Sequence, residues 1–445
     1  MKLLFVLPAI GRKDGEEYIG TWKMEPLTIA TLKALTPPDI ETFFRDDRIE
    51  AMDYDLDADL VAITVETYTA SRAYQIAKKY KERGATVIMG GYHVTAVPEE
   101  ALLHCDSVIV GNAETVWKTM LDDYLGGNLG REYNGVRGGI SPMPDRSIYK
   151  DKKYLPLSLI ETGRGCPHAC EFCAISCFYG GRYTARPLED IVAEIRQTKN
   201  KFVFFVDDNI SAKREHLLAL CEAITPLKIK WASQLSLAVA KDDELLRAMR
   251  RSGCQLVLIG FESLNKDNLE QMNKSWNYKL GDREELVRKI HHAGIGIYAT
   301  FVFGFDADGA ESLEDTLKFA LKHKFFFAAF NHLLPFPGTP LFKRLHDSGR
   351  LLYDRWWLRE GYKYGDVPYR PSAISPDDLK ERCANARRSF FKPVNIFKRG
   401  MAAIRRNASL LNITLFFSQN MAFSEEVDRK LNLPVGAGLD GGNAK

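Results

Sequence analysis

Two successive series of short apolar segments, separated by amphipathic helical patterns, constrain the fold of this chain. The apolar segments do not alternate with polar residues, which is typical of parallel strands buried on both faces. The first series covers 2–9, 60–67, 86–91 and 107–112. The second covers 157–165, 201–209, 229–237, 254–263, 294–306 and 325–340. The regular alternation of strands and helices in each series predicts two α/β units, each with a parallel sheet.

The length of 445 residues exceeds the ~250–300 residues at which a single hydrophobic core stops growing. We therefore predict a doubly wound, Rossmann-like domain over 1–145 and a (β/α)6 partial TIM barrel over 146–365. A small, mostly helical C-terminal extension is predicted over 366–445. The Gly- and Pro-bearing stretch 125–150 indicates a linker with a short hairpin, and 434–445 has the composition of a frayed terminus.

Composition narrows the class of protein. The formal net charge is only +3, so nucleic acid is not expected as the main partner. The first apolar run soon meets Gly11 and Arg12, which indicates a buried strand rather than a secretory segment, and no run reaches the ~18–20 apolar residues of a membrane span. Cysteines scattered singly outside one cluster predict a reduced, cytoplasmic protein.

That one cluster lies in "ETGRGCPHACEFCAISC", just after the first strand of the second series. Cys166, Cys170 and Cys173 have neither the paired spacing of a structural zinc site nor the regular run of a ferredoxin, both of which supply four ligands. Three thiolates can hold three irons of a [4Fe–4S] cluster and leave the fourth iron open. An incidental loop, or a zinc site with a remote fourth ligand, is the alternative.

The segment "CPHACEFC" resembles the C-x-x-x-C-x-x-C signature of the radical S-adenosylmethionine (SAM) superfamily, with Phe172 before the last ligand. The resemblance implies that the open iron binds SAM and that one electron splits it into a 5′-deoxyadenosyl radical, which abstracts a hydrogen atom. Cys177 is then expected to be a spectator, because a fourth thiolate would compete with SAM. A substrate-side thiol is the alternative role for Cys177.

Other strand ends of the second series are similar to SAM-binding motifs of the superfamily. The acidic motif "FVDDN" and the segments "GFES", "FVFGFDAD" and "LLPFPGTP" follow the expected order. The resemblance implies that they hold the amino, ribose, methionine and adenine parts of SAM. The residues that it assigns to cofactor binding are Phe172, Asp207, Asp208, Ser236, Glu262, Ser263, Gly304 and Pro335.

The sheet domain ahead of the barrel contains the stretches "MEPLTIATLKAL", "DLVAITVET" and "SVIVGNAET". Through them it resembles the cobalamin-binding subgroup, whose members include hopanoid methylases and the anaerobic Mg-protoporphyrin ester cyclase. Many cobalamin domains use a D-x-H-x-x-G motif to supply a histidine as the lower cobalt ligand; that motif is absent here, and the corresponding position, 43–53, reads "FFRDDRIEAMD". Cobalamin is therefore expected without that histidine, and loss of cobalamin binding is the alternative. The loop residues implied to face cobalamin are Thr64, Thr67, Gly90, Gly91, His93, Thr95, Gly111 and Glu114.

These resemblances predict cobalamin-dependent C-methylation of an unactivated carbon in a lipid, isoprenoid-like or other secondary-metabolite substrate. An external flavodoxin- or ferredoxin-type electron donor is implied. A radical SAM cyclase, oxidoreductase or rearrangement enzyme is the alternative, and a non-enzymatic corrinoid- or SAM-binding protein is a third. Residues 385–423 combine seven Arg or Lys with many apolar residues, which fits either contact with a membrane surface or a helical cap packed on the barrel.

Overall fold

The computed structural model describes residues 1–139, 141–309, 311–406 and 410–439, without the side chains of residues 410 and 411. Two six-stranded parallel sheets organise the chain, and the predicted fold class is confirmed. Residues 1–145 contain the first sheet and residues 146–365 the second. Three helices follow within 366–445.

The first sheet has the strand order β2-β1-β3-β4-β5-β6. Its strands are β1 (Lys2–Leu7), β2 (Glu41–Asp46), β3 (Leu60–Thr64), β4 (Thr86–Gly90), β5 (Ser107–Val110) and β6 (Glu132–Asn134). The helices around it are α1 (Leu27–Leu35), α2 (Ala70–Lys81), α3 (Tyr92–Ala96), α4 (Pro98–Ala101) and α5 (Trp117–Leu125). The strand order reverses between β1 and β3, as in doubly wound folds.

Strand β1 shows why the apolar segments lack alternation. Leu4 and Val6 enter the core on one face of the sheet, whereas Leu3 and Phe5 enter the core on the other face. Both faces are covered by helices, so the buried positions of the strand, residues 3–6, are all apolar.

The second sheet has the strand order β14-β13-β12-β11-β10-β7, and its edge strands β14 and β7 do not pair. The predicted partial barrel is therefore an open one. Its strands are β7 (Ser158–Ile160), β10 (Phe202–Phe205), β11 (Lys230–Leu235), β12 (Cys254–Glu262), β13 (Gly296–Phe303) and β14 (Phe327–His332). A separate two-stranded ribbon is formed by β8 (Gly163–Arg164) and β9 (Thr184–Ala185).

Helices connect these strands and cover the outside of the barrel. They are α6 (Ala174–Tyr179), α7 (Leu188–Gln197), α8 (Arg214–Ile224), α9 (Asp243–Arg251), α10 (Lys266–Gln271), α11 (Ser275–Tyr278), α12 (Arg283–His292), α13 (Ser312–Lys322) and α14 (Pro340–Asp347). The C-terminal extension consists of α15 (Pro376–Phe390), α16 (Pro393–Arg406) and α17 (Leu410–Lys430).

Two expectations about irregular segments were wrong. Within the proposed linker, residues 132–134 form β6, which extends the first sheet in parallel instead of making a hairpin. The tail is not frayed over its described part, because Gly436 N donates to Ile10 O at 2.7 Å and Arg12 N donates to Ala437 O at 3.0 Å. Residues 440–445 of that tail lie outside the described residues. The ordered tail ties the C-terminal extension to the first sheet.

The C-terminal helices pack on the barrel, as in the helical-cap interpretation. Arg399 is 1% exposed, and its Nη1 donates to the carbonyls of Phe325 and Phe326 at 3.1 and 2.9 Å. Phe416 of α17 packs edge-on against Phe326. The part of the chain that is described contains no helix long and apolar enough to span a bilayer.

Candidate active site

The cysteine loop lies at the mouth of the barrel, between the β8–β9 ribbon and α6. Glu171 holds the loop in place, because its backbone N donates to Met272 O at 3.0 Å and its carboxylate pairs with Arg344 at 2.5 Å. Asn273 also donates to Ala169 O at 2.9 Å. The loop is thus anchored to the segment after β12 and to α14, which fixes the cysteines relative to the barrel.

Cys166, Cys170 and Cys173 line one cavity of about 440 Å³. We call it the cluster cavity. Side chains from the ends of several barrel strands line the same space, as expected for the carboxyl ends of parallel strands. Among them are Asp208, Asn209, Gln234, Ser236, Glu262, Thr300 and Asn331, together with Lys274 and Trp276.

The donor set fits a [4Fe–4S] cluster. Three thiols and no other soft ligand line the described cavity, and thiolates are the ligands that such clusters use. Among the described residues, no three His, Cys, Asp or Glu side chains come close enough to share one metal ion. Thiolates that each bind a different iron atom are farther apart than ligands of a single ion, so this spacing is compatible with a cluster.

Burial favours the protonated form of two of these thiols. Burial raises the pKa of Cys170 to about 12 and raises the pKa of Cys166 as well. The Asn209 amide, whose Nδ2 lies 3.9 Å from Cys166 Sγ, opposes the latter shift. Because iron binds the thiolate, cluster assembly must release these protons.

Cys177 lies on α6 and is not part of the cavity lining. Its backbone carbonyl accepts a hydrogen bond from Arg137 at 3.3 Å, and burial raises the pKa of its thiol.

The two aspartates of the second-strand motif occupy different places. Asp208 lines the cluster cavity and accepts a hydrogen bond from Gly165 N at 2.8 Å. Asp207 is 1% exposed and accepts from the backbone N and the hydroxyl of Thr162 at 2.9 and 2.6 Å. Burial raises the pKa of Asp207 to about 7. Of the two, Asp208 is therefore placed to contact a ligand, whereas Asp207 ties β10 to the segment after β7.

Glu262 forms a buried ion pair at the end of β12. Its Oε1 lies 2.7 Å from Lys274 Nζ, and the same ammonium donates to Gly260 O at 3.0 Å. Burial by itself would lower the pKa of Lys274, but Glu262 and nearby thiols raise it above its usual value. Glu262 has a φ of 60° beside a register shift of the strand, which turns its side chain into the cavity wall.

The remaining residues predicted to bind SAM are distributed over the same end of the barrel. Ser236 lines the cluster cavity and its Oγ accepts from Ala238 N at 3.1 Å. Ser263 is buried and accepts from Asn265 N. Outside the described cavity lining, Gly304 O accepts from the Tyr369 hydroxyl at 3.0 Å and Pro335 O accepts from Trp356 Nε1 at 2.9 Å.

In the first sheet, the strand ends form a second, apolar cavity of about 40 Å³. Thr64, Gly90 and Gly91 line it, with Ala113 and side chains of α1 and α5. A Cβ at Gly91 would lie 2.7 Å from Val65 O, and its φ is 110°, so packing within the protein requires that glycine. A Cβ at Gly90 would meet Ile109 only at ordinary contact distance. Packing within the protein therefore does not require a glycine at position 90, and the absence of a side chain there leaves room for a ligand.

Other residues predicted to face cobalamin are engaged within the protein. His93 is 0% exposed, and its Nε2 lies 3.2 Å from Glu100 Oε1. Thr95 Oγ1 accepts from Gly111 N at 3.0 Å, and Glu114 pairs with Arg164 of the barrel. Thr67 Oγ1 is buried without a hydrogen-bond partner among the described residues. The unpartnered hydroxyl of Thr67 and the small apolar slot beside Gly90 are the features of this domain that suit contact with part of a corrinoid.

The strand ends of the two sheets face each other. Helix α3, which follows β4, contacts α6 of the cysteine loop. Burial raises the pKa of Tyr92 on α3, and the thiols of Cys177 and Cys173 add to the shift because they lie close by. The Tyr92 hydroxyl also donates to Pro337 O at 2.8 Å, after β14. A ligand between the sheets would contact both sites.

Sequence reasoning missed several residues of the site. These residues belong to no strand-end motif. Lys274 and Trp276 follow α10, Asn331 lies near the end of β14, and Arg387 lies on α15. His168 stacks on Trp276 with ring centroids 3.9 Å apart, which the motif also did not indicate. Lys274, in "NKSWNY", belongs to no motif of recognisable spacing, so its place in the cavity lining is seen only in the folded chain.

Comparisons with known proteins agree with this arrangement. The radical SAM superfamily matches residues 160–320, and the B12 binding domain matches residues 33–120. Bacteriochlorophyllide d C-12(1)-methyltransferase of Chlorobaculum tepidum is 34% identical over 391 residues, with 84% of each chain covered. Hopanoid C-2 methylase of Rhodopseudomonas palustris is 30% identical, over 48% of this chain and 42% of its own.

Among solved structures, the fold is similar to that of the radical SAM methyltransferase TsrM from Kitasatospora setae. That structure has cobalamin and a [4Fe–4S] cluster bound. The TM-score is 0.66 at 14% identity, with 96% of this chain and 99% of that chain covered. The predictions of a radical SAM domain and a B12-binding domain are confirmed, and this chain belongs to the family of cobalamin-dependent radical SAM methyltransferases.

Proposed function

We propose that this protein transfers a methyl group to an unactivated carbon of a large apolar, ring-bearing acceptor of the tetrapyrrole type. The observation that carries the proposal is the placement of the cluster cavity opposite the strand ends of the B12-binding domain. A substrate held between them is within reach of both cofactors. The choice of acceptor is supported by the bacteriochlorophyllide methyltransferase, which is similar over most of both chains, whereas the hopanoid methylase covers less than half of this one.

In this proposal the protein mainly binds, orients and excludes water. The cluster with SAM supplies the hydrogen-abstracting radical when bound, and the corrinoid supplies the methyl group. Cys166, Cys170 and Cys173 would ligate the cluster. Lys274 and Glu262 carry opposite charges in the cavity wall, which suits the carboxylate and ammonium of the methionine part of SAM.

The experiment that tests the function is anaerobic reconstitution with iron, sulfide and hydroxocobalamin, followed by incubation with SAM, reductant and bacteriochlorophyllide d. We expect about four irons and one cobalt per chain, a product heavier by one CH₂, and both 5′-deoxyadenosine and S-adenosylhomocysteine. A changed acceptor with 5′-deoxyadenosine but no S-adenosylhomocysteine would indicate the alternative, a cyclase or oxidoreductase. Absence of both SAM products would argue for a binding protein without turnover.

Filling the apolar slot at the first sheet is expected to remove cobalamin without affecting the cluster. Gly90→Val places a side chain in the cavity, so we expect cobalt content to fall at least about tenfold, the change that a loss of ~1.4 kcal/mol in binding free energy produces. Iron content should stay unchanged. The matched control is Ser107→Ala at the other end of the same sheet, where a buried Oγ has no described partner. Retention of cobalt by the Gly90 variant would place the corrinoid elsewhere.

The cluster also needs an electron. We propose an external flavodoxin- or ferredoxin-type donor and a cytoplasmic location, in keeping with the reduced cysteines.

We also propose that α16 contacts an anionic membrane surface. Val394, Phe397 and Met401 are 55%, 60% and 38% exposed, and their spacing places them on one face of the helix. Lys398 and Arg405 are exposed on the same helix. An apolar stripe flanked by cations is typical of helices that lie in the membrane interface.

Replacing Phe397 with aspartate is expected to weaken binding to vesicles of phosphatidylcholine and phosphatidylglycerol by about tenfold or more. It removes one large apolar group from the interface and adds a repelled charge. Vesicle co-sedimentation measures the effect. Leu103→Asp, at a residue 74% exposed on the first domain, is the control and should bind as the wild type does. Equal binding of both variants would contradict the membrane proposal.

A further inference from the structure

A third cavity, of about 250 Å³, adjoins the cluster cavity and shares Phe172, Val302 and Asn331 with it. We call it the acceptor cavity. All three parts of the chain contribute to its wall. Tyr68 comes from the segment after β3, and Leu333 and Phe336 follow β14. Tyr364 precedes α15, and Arg387 lies on α15. The cavity therefore lies between the B12-binding face and the cluster site.

The wall of the acceptor cavity is aromatic and aliphatic apart from a few polar groups. Tyr68 makes edge or tilted contacts with Phe336 and Tyr364, with ring centroids 6.4 and 5.1 Å apart. His332 also lines the cavity, and burial lowers its pKa to about 4, so that its imidazole is neutral at physiological pH. Arg387 is thus the charged residue in the described lining.

Arg387 is held in position but not neutralised. Its Nε donates to Phe330 O at 2.9 Å and its Nη2 donates to Asn331 Oδ1 at 3.1 Å. Within the described part of the chain, no carboxylate lies within ion-pair distance of this guanidinium. The nearby carboxylate of Asp366 is instead paired with Lys380 at 2.6 Å.

An oriented guanidinium without an anionic partner, set in an apolar wall, is suited to a carboxylate, which it can bind through two parallel hydrogen bonds. We propose that Arg387 binds a carboxylate of the methyl acceptor, with Asn331 and Phe330 O fixing its orientation. This inference rests on the proposed function, since it places the acceptor in this cavity. The apolar body of the acceptor then lies against Tyr68, Phe336 and Tyr364. A hydrocarbon lipid without an acidic group would leave the cation unpaired.

The test compares bacteriochlorophyllide d, a free acid, with its methyl ester. Binding to the reconstituted protein is measured by the absorption or fluorescence change of the pigment without SAM, and methyl transfer is measured separately. We expect the wild type to bind the acid ~10–100-fold more tightly than the ester, the range expected for one charge-assisted contact in a partly buried site. Arg387→Gln should abolish that preference and leave the affinity for the ester unchanged.

Arg388→Gln is the matched control. Arg388 is the next residue of α15, but it pairs at the surface with Asp428 and Glu381, so its loss should leave the preference for the acid intact. Arg387→Lys keeps the positive charge but lacks the planar guanidinium that can donate two parallel hydrogen bonds. This variant should retain part of the preference for the acid, and that result would show that the protein still folds when position 387 is changed.

The outcomes separate the subsite from the reaction. Equal affinity of the wild type for acid and ester, no binding of either, or an unchanged preference in Arg387→Gln would overturn the carboxylate subsite. Preference for the acid that depends on Arg387, but without methylated product or S-adenosylhomocysteine, would support the subsite and contradict the proposed methyl transfer to this pigment.

Discussion

Cys170→Ala is expected to abolish both iron binding and SAM cleavage. The side chain is 9% exposed and lines the cluster cavity with Cys166 and Cys173, and two thiolates are too few to retain a cluster that three would hold. Iron should fall from about four atoms per chain to near zero. Formation of 5′-deoxyadenosine should fall to background. Because only a thiol is removed, the far-ultraviolet circular dichroism of the protein should not change.

Cys177→Ala is the control for Cys170→Ala. Cys177 lies in the same stretch of sequence but outside the cavity lining, and its variant should keep the iron content, the cluster absorption and SAM cleavage of the wild type. Loss of iron in Cys177→Ala would make this thiol a ligand. Retention of the full iron content in Cys170→Ala would exclude the assignment of the triad.

The second large effect is expected at the buried pair of Glu262 and Lys274. Lys274→Met leaves a carboxylate without its cation in a site where Glu262 is 7% exposed. Breaking one side of a buried ion pair costs about 3–5 kcal/mol. The thermal midpoint should therefore fall by several degrees. SAM cleavage should fall by about 10²-fold or more, as when one fixed charge-stabilising group is removed from an active site.

The double variant Glu262→Gln with Lys274→Met separates stability from binding. Removing both charges restores much of the lost stability, because no unpaired charge remains buried. SAM cleavage should nevertheless stay low, since neither charge is left to hold the methionine part of SAM. Recovery of cleavage together with stability would mean that the pair has only a structural role.

The stability contributed by the pair of Glu262 and Lys274 is also expected to depend on pH. The pKa of Lys274 is raised above its usual value in the folded protein, so the pair contributes its full stabilisation below the usual pKa of lysine. That contribution is lost as the pH rises through the raised value. As the pH is raised from neutral, the difference in stability between the wild type and Lys274→Met should therefore shrink only once the pH is strongly alkaline, which thermal melts at a series of pH values can measure.

Much of the fold followed from local sequence. The central residues of segments such as "KLLFVLPA" and "KFVFFVDDN" are apolar, and in β1 residues 3–6 are apolar at every position because both faces of that strand are buried. Strand β6 was missed because "EYN" is three residues long, too short for a periodic pattern, and only its pairing with β5 makes it a strand. The ordered tail was missed because its Gly-rich composition is typical of a loose end, whereas the hydrogen bonds that fix it come from residues more than 400 positions away.

The cysteine motif and the order of the strand-end motifs were determined by the sequence itself, since these residues are neighbours along the chain and their spacing is the signal. The tertiary structure decided which of two adjacent aspartates faces the cavity, because successive residues at a strand end point in different directions. It also decided that His93 pairs with Glu100 and that Lys274, Asn331 and Arg387 reach the site. Those groups come from distant segments, and their meeting depends on how two sheets and a C-terminal helix pack, which no local spacing encodes.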